Sequence, residues 1–182
     1  MRKLTHQEIV KRQKTKSPPA RWPLMVVLNN VRSLYNVGSI FRTADGAGVE
    51  KIWLCGYTGF PPQSQISKTA LGAEERVPWE HQRDAAAVIR QLKQDGYKIV
   101  LLEQLEQSVE YHEFEPAGPV CLVVGNEIEG VAEGLLPLCD VALEISMAGI
   151  KNSLNVSVAF GIVAYHLSCR LSAQWIRNLT EE

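Results

Sequence analysis

The sequence has 182 residues, of which 46% are hydrophobic and 21% charged, and its formal net charge is −1. That length suits one domain whose core buries roughly 70% of the unfolded surface, and the composition excludes a disordered or fibrous chain. A heavily basic DNA-coating protein is excluded too, so no DNA partner is expected. The near-neutral total hides an asymmetry: residues 1–22 carry seven basic groups against one acid, Glu8, and the rest of the chain carries a net −7. A basic arm on a mildly acidic body suits either a polyanion partner or a solubilising end.

In chain order, Thr5 followed by Glu8 is a capping box and predicts a short helix within residues 2–14. The run Ser17-Pro-Pro-Ala-Arg-Trp-Pro23 forbids regular structure and acts as a hinge. Residues 24–28 form a continuous apolar run, the pattern of a strand buried on both faces. A helix follows over 36–47, with Asn36 as its cap and Gly46 and Gly48 at its end. Residues 51–55 predict a second strand, and 56–68 a long exposed loop. Helical spacing returns over 84–94. Strands are expected at 98–102, 120–124 and 141–145, with a short helix over 131–138. The chain closes in a helix from about 153 to 171, whose apolar circumference calls for a partner subunit on one face.

Strands alternating with helices predict an α/β fold: a mostly parallel sheet with helices on both faces. The expected division is a basic extension over 1–23, one domain over 24–175 and a tail over 176–182. The N-terminal residues contain no apolar run of a secretory signal. The longest apolar stretch, 156–167, is shorter than the ~20 residues a spanning helix needs. No membrane association and a cytoplasmic location are therefore expected. Cys55, Cys121, Cys139 and Cys169 form no CxxC pair, so reduced thiols are expected rather than disulfides, and no metal site.

Three segments carry candidate chemistry. In the first, a buried strand runs through a polar turn into a helix that opens with Asn36, Gly38 and Ser39, with Arg42 further along. Free N–H groups at a helix start attract anions, although a capped helix with one solvated arginine explains the pattern as well. In the second, Val123-Val-Gly-Asn-Glu-Ile-Glu-Gly130, a strand enters an acidic turn between glycines. This is neither a Walker loop nor GxGxxG, and its glutamates favour a cationic or neutral ligand over a phosphate. A tight turn with solvated glutamates competes with that reading. In the third, residues 145–159, Asn155 stands in the first turn of an apolar helix, where a buried amide is costly unless something polar faces it.

These segments, in this order, resemble the three motifs of the SpoU (TrmH-like) ribose 2′-O-methyltransferases of the SPOUT superfamily. The matching stretches are Asn36-Val-Gly-Ser-Ile-Phe-Arg-Thr-Ala44, Leu122-Val-Val-Gly-Asn-Glu127, and residues 145–159 with their Ser153-Leu-Asn-Val-Ser-Val-Ala core. Lys68-Thr-Ala-Leu-Gly-Ala-Glu-Glu75 resembles a further family segment. One departure is Ser146, which stands where proline is usual.

The resemblance implies a deep C-terminal trefoil knot, a homodimer and S-adenosyl-L-methionine as cofactor, held by Gly125, Asn126, Ile145, Met147 and Leu154. It also implies that Arg42, Asn36, Asn155, Ser153 and Glu127 are the catalytic set. The implied reaction is methyl transfer to a ribose 2′-hydroxyl of RNA, with transfer RNA the first candidate and ribosomal RNA the second. A guanidinium stays protonated at neutral pH, so Arg42 is expected to bind the phosphate beside the target ribose and orient the hydroxyl. Arg32, Arg12, Lys14, Lys16 and Arg21 are the expected RNA contacts, and Trp22 is either a base-stacking ring or a hydrophobic staple. The rival readings are an RNA-binding SPOUT dimer without catalysis and a SPOUT enzyme that methylates a base.

Overall fold

Seven strands pair in parallel in one sheet, in the order β3-β2-β1-β6-β4-β7-β5. The computed structural model describes residues 1–14 and 21–180. The strands are β1 (Trp22–Asn29), β2 (Val49–Cys55), β3 (Trp79–Gln82), β4 (Lys98–Leu102), β5 (Val109–Glu110), β6 (Val120–Val124) and β7 (Val141–Glu144). The helices are α1 (His6–Lys14), α2 (Leu34–Ala47), α3 (Ser64–Ala70), α4 (Ala85–Gln94) and α5 (Val156–Thr180).

Strand side chains alternate between two cores, as the pleat requires. Val26 and Leu28 of β1 join Leu122 and Val124 of β6 under α2, α3 and α5, which contribute Phe41, Ile66 and Phe160. Val27 joins Cys121 and Val123 on the other face, under Ile89 and Leu92 of α4 and Leu135. The expected α/β sheet with helices on both faces is thus present, and every strand pair is parallel.

The capping box at α1 forms as the sequence predicts. The Glu8 N–H donates to Thr5 Oγ1 at 3.3 Å and the Thr5 N–H donates to Glu8 Oε2 at 2.8 Å. The Arg2 guanidinium, with the Thr5 bonds behind it, holds the Glu8 carboxyl down at about 2.

Several boundaries move, each for a local reason. The Trp22 N–H donates to Gly48 O at 2.8 Å, so β1 starts inside the expected hinge. Trp22 packs partly buried against the core, which makes it a staple. Helix α2 begins at Leu34 because Ser33 Oγ accepts from the Asn36 N–H at 3.3 Å. Asn36 is therefore not the cap but a first-turn residue whose side-chain amide bonds outside the helix. Gly48 ends α2 at a φ of 70°.

The long loop after β2 contains α3, whose seven mostly polar residues bury only Ile66 and Ala70. Strands β3 and β5 are too short, and β3 too polar, to leave an apolar run. Residues 133–138 form a 3₁₀ turn containing Pro137, which has no N–H for an α-helical bond.

Helix α5 begins at Val156 and runs to Thr180, so the segment limits expected at 23 and 175 fall inside β1 and α5. It is also longer than its apolar core suggested: over Val156–Ala173 the mean hydropathy is 1.3, enough by length and composition to cross a membrane. Its buried side chains, Phe160, Val163, Ala164, Leu167 and Leu171, belong instead to the sheet's core. Each large one contributes roughly 1.5–3 kcal/mol of burial there.

Candidate active site

A cavity of about 450 Å³ opens at the carboxyl ends of β4, β6 and β7, where ligands bind in open parallel sheets. Gly125, Asn126, Ile145, Met147 and Leu154, the expected cofactor residues, all line it, and so do Glu127, Ser153 and Asn155. Glu103 and Glu144 line it as well, and no Lys, Arg or His is among its described lining residues.

The turn after β6 builds one wall. Asn126 and Gly130 exchange backbone hydrogen bonds of 2.9 and 3.0 Å. The nearly buried Asn126 side chain holds this turn and its neighbours. Its Oδ1 accepts from the N–H groups of Ile128 and Glu129, and its Nδ2 donates to Asn30 O and Tyr57 Oη, both at 2.9 Å. With both amide hydrogens and two oxygen contacts engaged, Asn126 shapes the cavity more than it reaches into it. A Cβ on Gly125 would lie 2.2 Å from backbone atoms of Gly130 and Val131, so only glycine lets the turn close on the strand end.

Glu127 ties that wall to the first segment. Its Oε2 accepts from the Arg32 N–H at 3.0 Å, and its Oε1 accepts from the Ser33 N–H at 3.0 Å and from Asn36 Nδ2 at 2.9 Å. Asn36 Oδ1 accepts from Asn155 Nδ2 at 3.1 Å. Asn155 Oδ1 accepts from the N–H and hydroxyl of Ser157 at 2.9 and 2.7 Å. Asn155 is thus the exposed cap of α5 rather than a buried residue inside its first turn, and its amide donates to Asn36. One chain of hydrogen bonds joins all three motif segments.

Desolvation raises the Glu127 pKa, but the bonds from Arg32, Asn36 and Ser33 outweigh it and hold the carboxyl below its ordinary value. A depressed folded-state pKa gives stability that is full above the ordinary carboxylate range of about 4.3 and fades as pH falls through the folded value. Glu127→Gln should therefore lower stability at pH 7 by about 1 kcal/mol, a figure kept small because the side chain is exposed. In urea titrations the difference from wild type should shrink below about pH 4; a difference independent of pH would refute the role.

Arg42 lies outside this constellation. It is exposed on α2, does not line the cavity, and bonds to no described residue. Ser153 is exposed at the cavity rim. Ser146 donates its hydroxyl to Glu110, a link to β5 that proline could not make.

Of the expected RNA contacts, Arg32 and Arg12 are exposed. The Lys14 side chain and Lys16 lie outside the described residues. Arg21 has a structural duty instead, donating to Val49 O at 2.7 Å and Arg76 O at 2.6 Å.

Sequence reasoning missed Glu103, which lines the cavity and accepts from the Val131 N–H at 3.1 Å. Its only signal is an acid placed directly after a buried strand. It also missed Tyr57. Among the described residues no cluster of His, Cys, Asp and Glu could hold a metal. Burial pushes the Cys55 thiol up to about 12 and the Cys139 thiol to about 11.

The SpoU rRNA Methylase family model matches residues 23–165. The chain belongs to that family. It is 34% identical over 144 residues to the 23S rRNA (guanosine-2′-O-)-methyltransferase RlmB of Ralstonia nicotianae, covering 79% of this chain and 57% of that protein. Among solved structures, the A. aeolicus TrmH/SpoU tRNA modifying enzyme superposes with a TM-score of 0.79 at 28% identity, covering 92% of this chain and 85% of that one. The AdoMet-bound rRNA methyltransferase from Sinorhizobium meliloti gives a TM-score of 0.77 at 26% identity over 92% of this chain and 70% of its own. This SpoU-family chain thus spans a little over half the length of these curated relatives.

Proposed function

We propose that the chain is an S-adenosyl-L-methionine-dependent methyltransferase that modifies a ribose 2′-hydroxyl of RNA, transfer RNA first and ribosomal RNA second. The observation that carries this is the hydrogen-bond chain Asn155–Asn36–Glu127, which gathers the three family segments around one cavity. The names of the relatives, an rRNA guanosine-2′-O-methyltransferase and a tRNA modifying enzyme, support the reaction and both RNA classes.

The cavity's chemistry fits the cofactor. Leu102, Leu143, Ile145 and Leu154 offer an apolar bed for an adenine, while the carboxylates favour a cation. Gly125, Asn126, Ile145, Met147 and Leu154 would hold it, largely through backbone and apolar contact. When bound, it supplies a sulfonium-activated methyl group.

The chain's own work is positioning. Arg42, free on α2 and outside the cavity, clamps the phosphate beside the target ribose and orients the hydroxyl. Asn36, Glu127 and Asn155 hold the three loops in register, and Ser153 lines the approach.

The C-terminal knot is part of the proposal. The chain between β4 and β6 reaches out to edge strand β5 and returns. It bonds to the later segment through Gln104 to Asn152 O at 2.9 Å, Ser108 to Glu144 at 2.7 Å, and His166 with Phe114 O at 3.1 Å. That wrapping supports a threaded path. Exposed Val158 and Tyr165 on α5 support a homodimer through that face. A cytoplasmic location follows from the RNA substrates.

The test is incubation of purified protein with methyl-labelled cofactor and separated RNA fractions, then nuclease digestion. A 2′-O-methyl group leaves a resistant dinucleotide. Label in a base indicates base methylation instead, and RNA binding without label indicates the non-catalytic dimer; either result refutes the proposal.

The basic arm gives a second measurement. Removing residues 2–16 should weaken RNA binding and flatten its salt dependence by about 0.7–0.9 per lost phosphate contact, with cofactor affinity unchanged. An unaltered salt slope would remove the arm from the RNA contacts.

A further inference from the structure

We infer that Tyr57 is a stacking platform for an unpaired nucleobase of the RNA substrate, at the edge of the cavity; this rests on the RNA reading above. Tyr57 is 57% exposed, yet both of its ends are fixed. Its backbone N–H donates to Asn30 Oδ1 at 3.2 Å, and its phenol oxygen accepts from Asn126 Nδ2 at 2.9 Å. The next residue, Thr58, is buried, accepting from the Val31 N–H and donating to Leu28 O, both at 3.0 Å.

A surface tyrosine gains little from such restraint, because ordering an exposed side chain costs entropy. A ring already ordered before it meets its ligand spares that cost on binding. Asn126 itself lines the cavity, so the ring stands one hydrogen bond from the cavity wall.

Phe60, three residues on from Tyr57, is a second exposed ring in the same segment. It is 42% exposed and is backed by the His81 ring at 4.4 Å and the Trp79 ring at 6.3 Å. The segment Gly56-Tyr-Thr-Gly-Phe-Pro-Pro62 carries no charge, so its contribution to an RNA is a π-face rather than a phosphate contact. Exposed Arg32 follows Val31, whose N–H is bonded to Thr58, so the folded chain brings a cation beside this segment to serve the phosphates. Unpaired RNA bases are recognised by stacking on such rings, and the occupant of this surface is therefore a nucleobase.

Tyr57→Leu and Tyr57→Phe separate the ring from the hydroxyl. Filter binding of unfractionated transfer RNA should weaken roughly five- to hundredfold in the leucine variant, the range for losing one stacked base. The phenylalanine variant, which restores the ring face, should recover most of that loss. Calorimetry with S-adenosyl-L-methionine should give the two variants the same affinity, because both lose the bond from Asn126 alike.

The inference is overturned if leucine leaves RNA affinity intact, or if phenylalanine loses as much as leucine, which would reduce Tyr57 to a prop for Asn126. It is overturned as well if leucine loses more cofactor affinity than phenylalanine, which would assign the ring to the cavity wall, or changes the oligomeric state, which would assign it to a protein contact. Wild-type protein that binds RNA but transfers no methyl would sink the proposed reaction while leaving this result standing.

Discussion

Arg42→Ala should reduce kcat/KM for RNA by at least about a hundredfold while leaving cofactor affinity within about twofold, because misplacing a reacting group by an ångström costs that much in rate. The reasoning is geometric. The arginine sits on the helix that also carries Asn36, but it is exposed and outside the cofactor cavity, so its removal leaves the cavity intact. Arg42→Lys keeps the charge but loses the planar two-pronged fork that grips a phosphate. Its activity should fall between the two, with most of its loss in kcat. Steady-state kinetics with the modified RNA, paired with cofactor calorimetry, decides the matter. Near-wild-type turnover in either variant would show that Arg42 is not central.

Gly125→Ala should be the most damaging change to the cofactor cavity. The added methyl would meet the carbonyl carbon of Gly130 and the nitrogen of Val131 at 2.2 Å, and the Gly130 oxygen at 2.4 Å. Backbone cannot rotate aside as a flexible side chain does, so the turn must open. Overpacking of this kind costs roughly 1–3 kcal/mol. It would also displace Asn126 and Glu127, whose hydrogen bonds register all three loops. Urea denaturation should show the lost stability, and calorimetry should show cofactor affinity reduced by at least about tenfold. Gly118→Ala is the control, since nothing lies within 4 Å of its added carbon. An alanine at 125 that binds cofactor normally would mean that the turn is not the wall proposed here.

The buried parallel strands were legible because burial on both faces leaves a continuous apolar run, as in β6, Val120–Val124. Edge strands leave no such mark: β3 reads Trp-Glu-His-Gln and is half wet. Helix α3 escaped because two buried residues in seven set no period. The site was legible as three motif segments, and the residue types at Asn36, Glu127 and Asn155 announced polar work. What each one bonds to was not legible. Asn36 and Asn155 are 119 positions apart, and no local pattern shows that one amide satisfies the other. Ser33 displaced Asn36 as the α2 cap for the same reason: both residue types can cap, and only the tertiary partner decides between them. Tyr57 had no periodic or charge signature at all, since its interest lies in exposure combined with restraint.

Strand β6 enters the sheet between two strands made before it, pairing Val120 with both Leu24 and Lys98. Strands β1 and β4 must therefore wait, each with an open inner edge, while synthesis passes residue 119. A ribosome adding roughly 5–20 residues each second leaves those adhesive edges bare for seconds. Self-association of the nascent chain through those edges is the hazard this strand order creates, and it acts before the finished molecule exists.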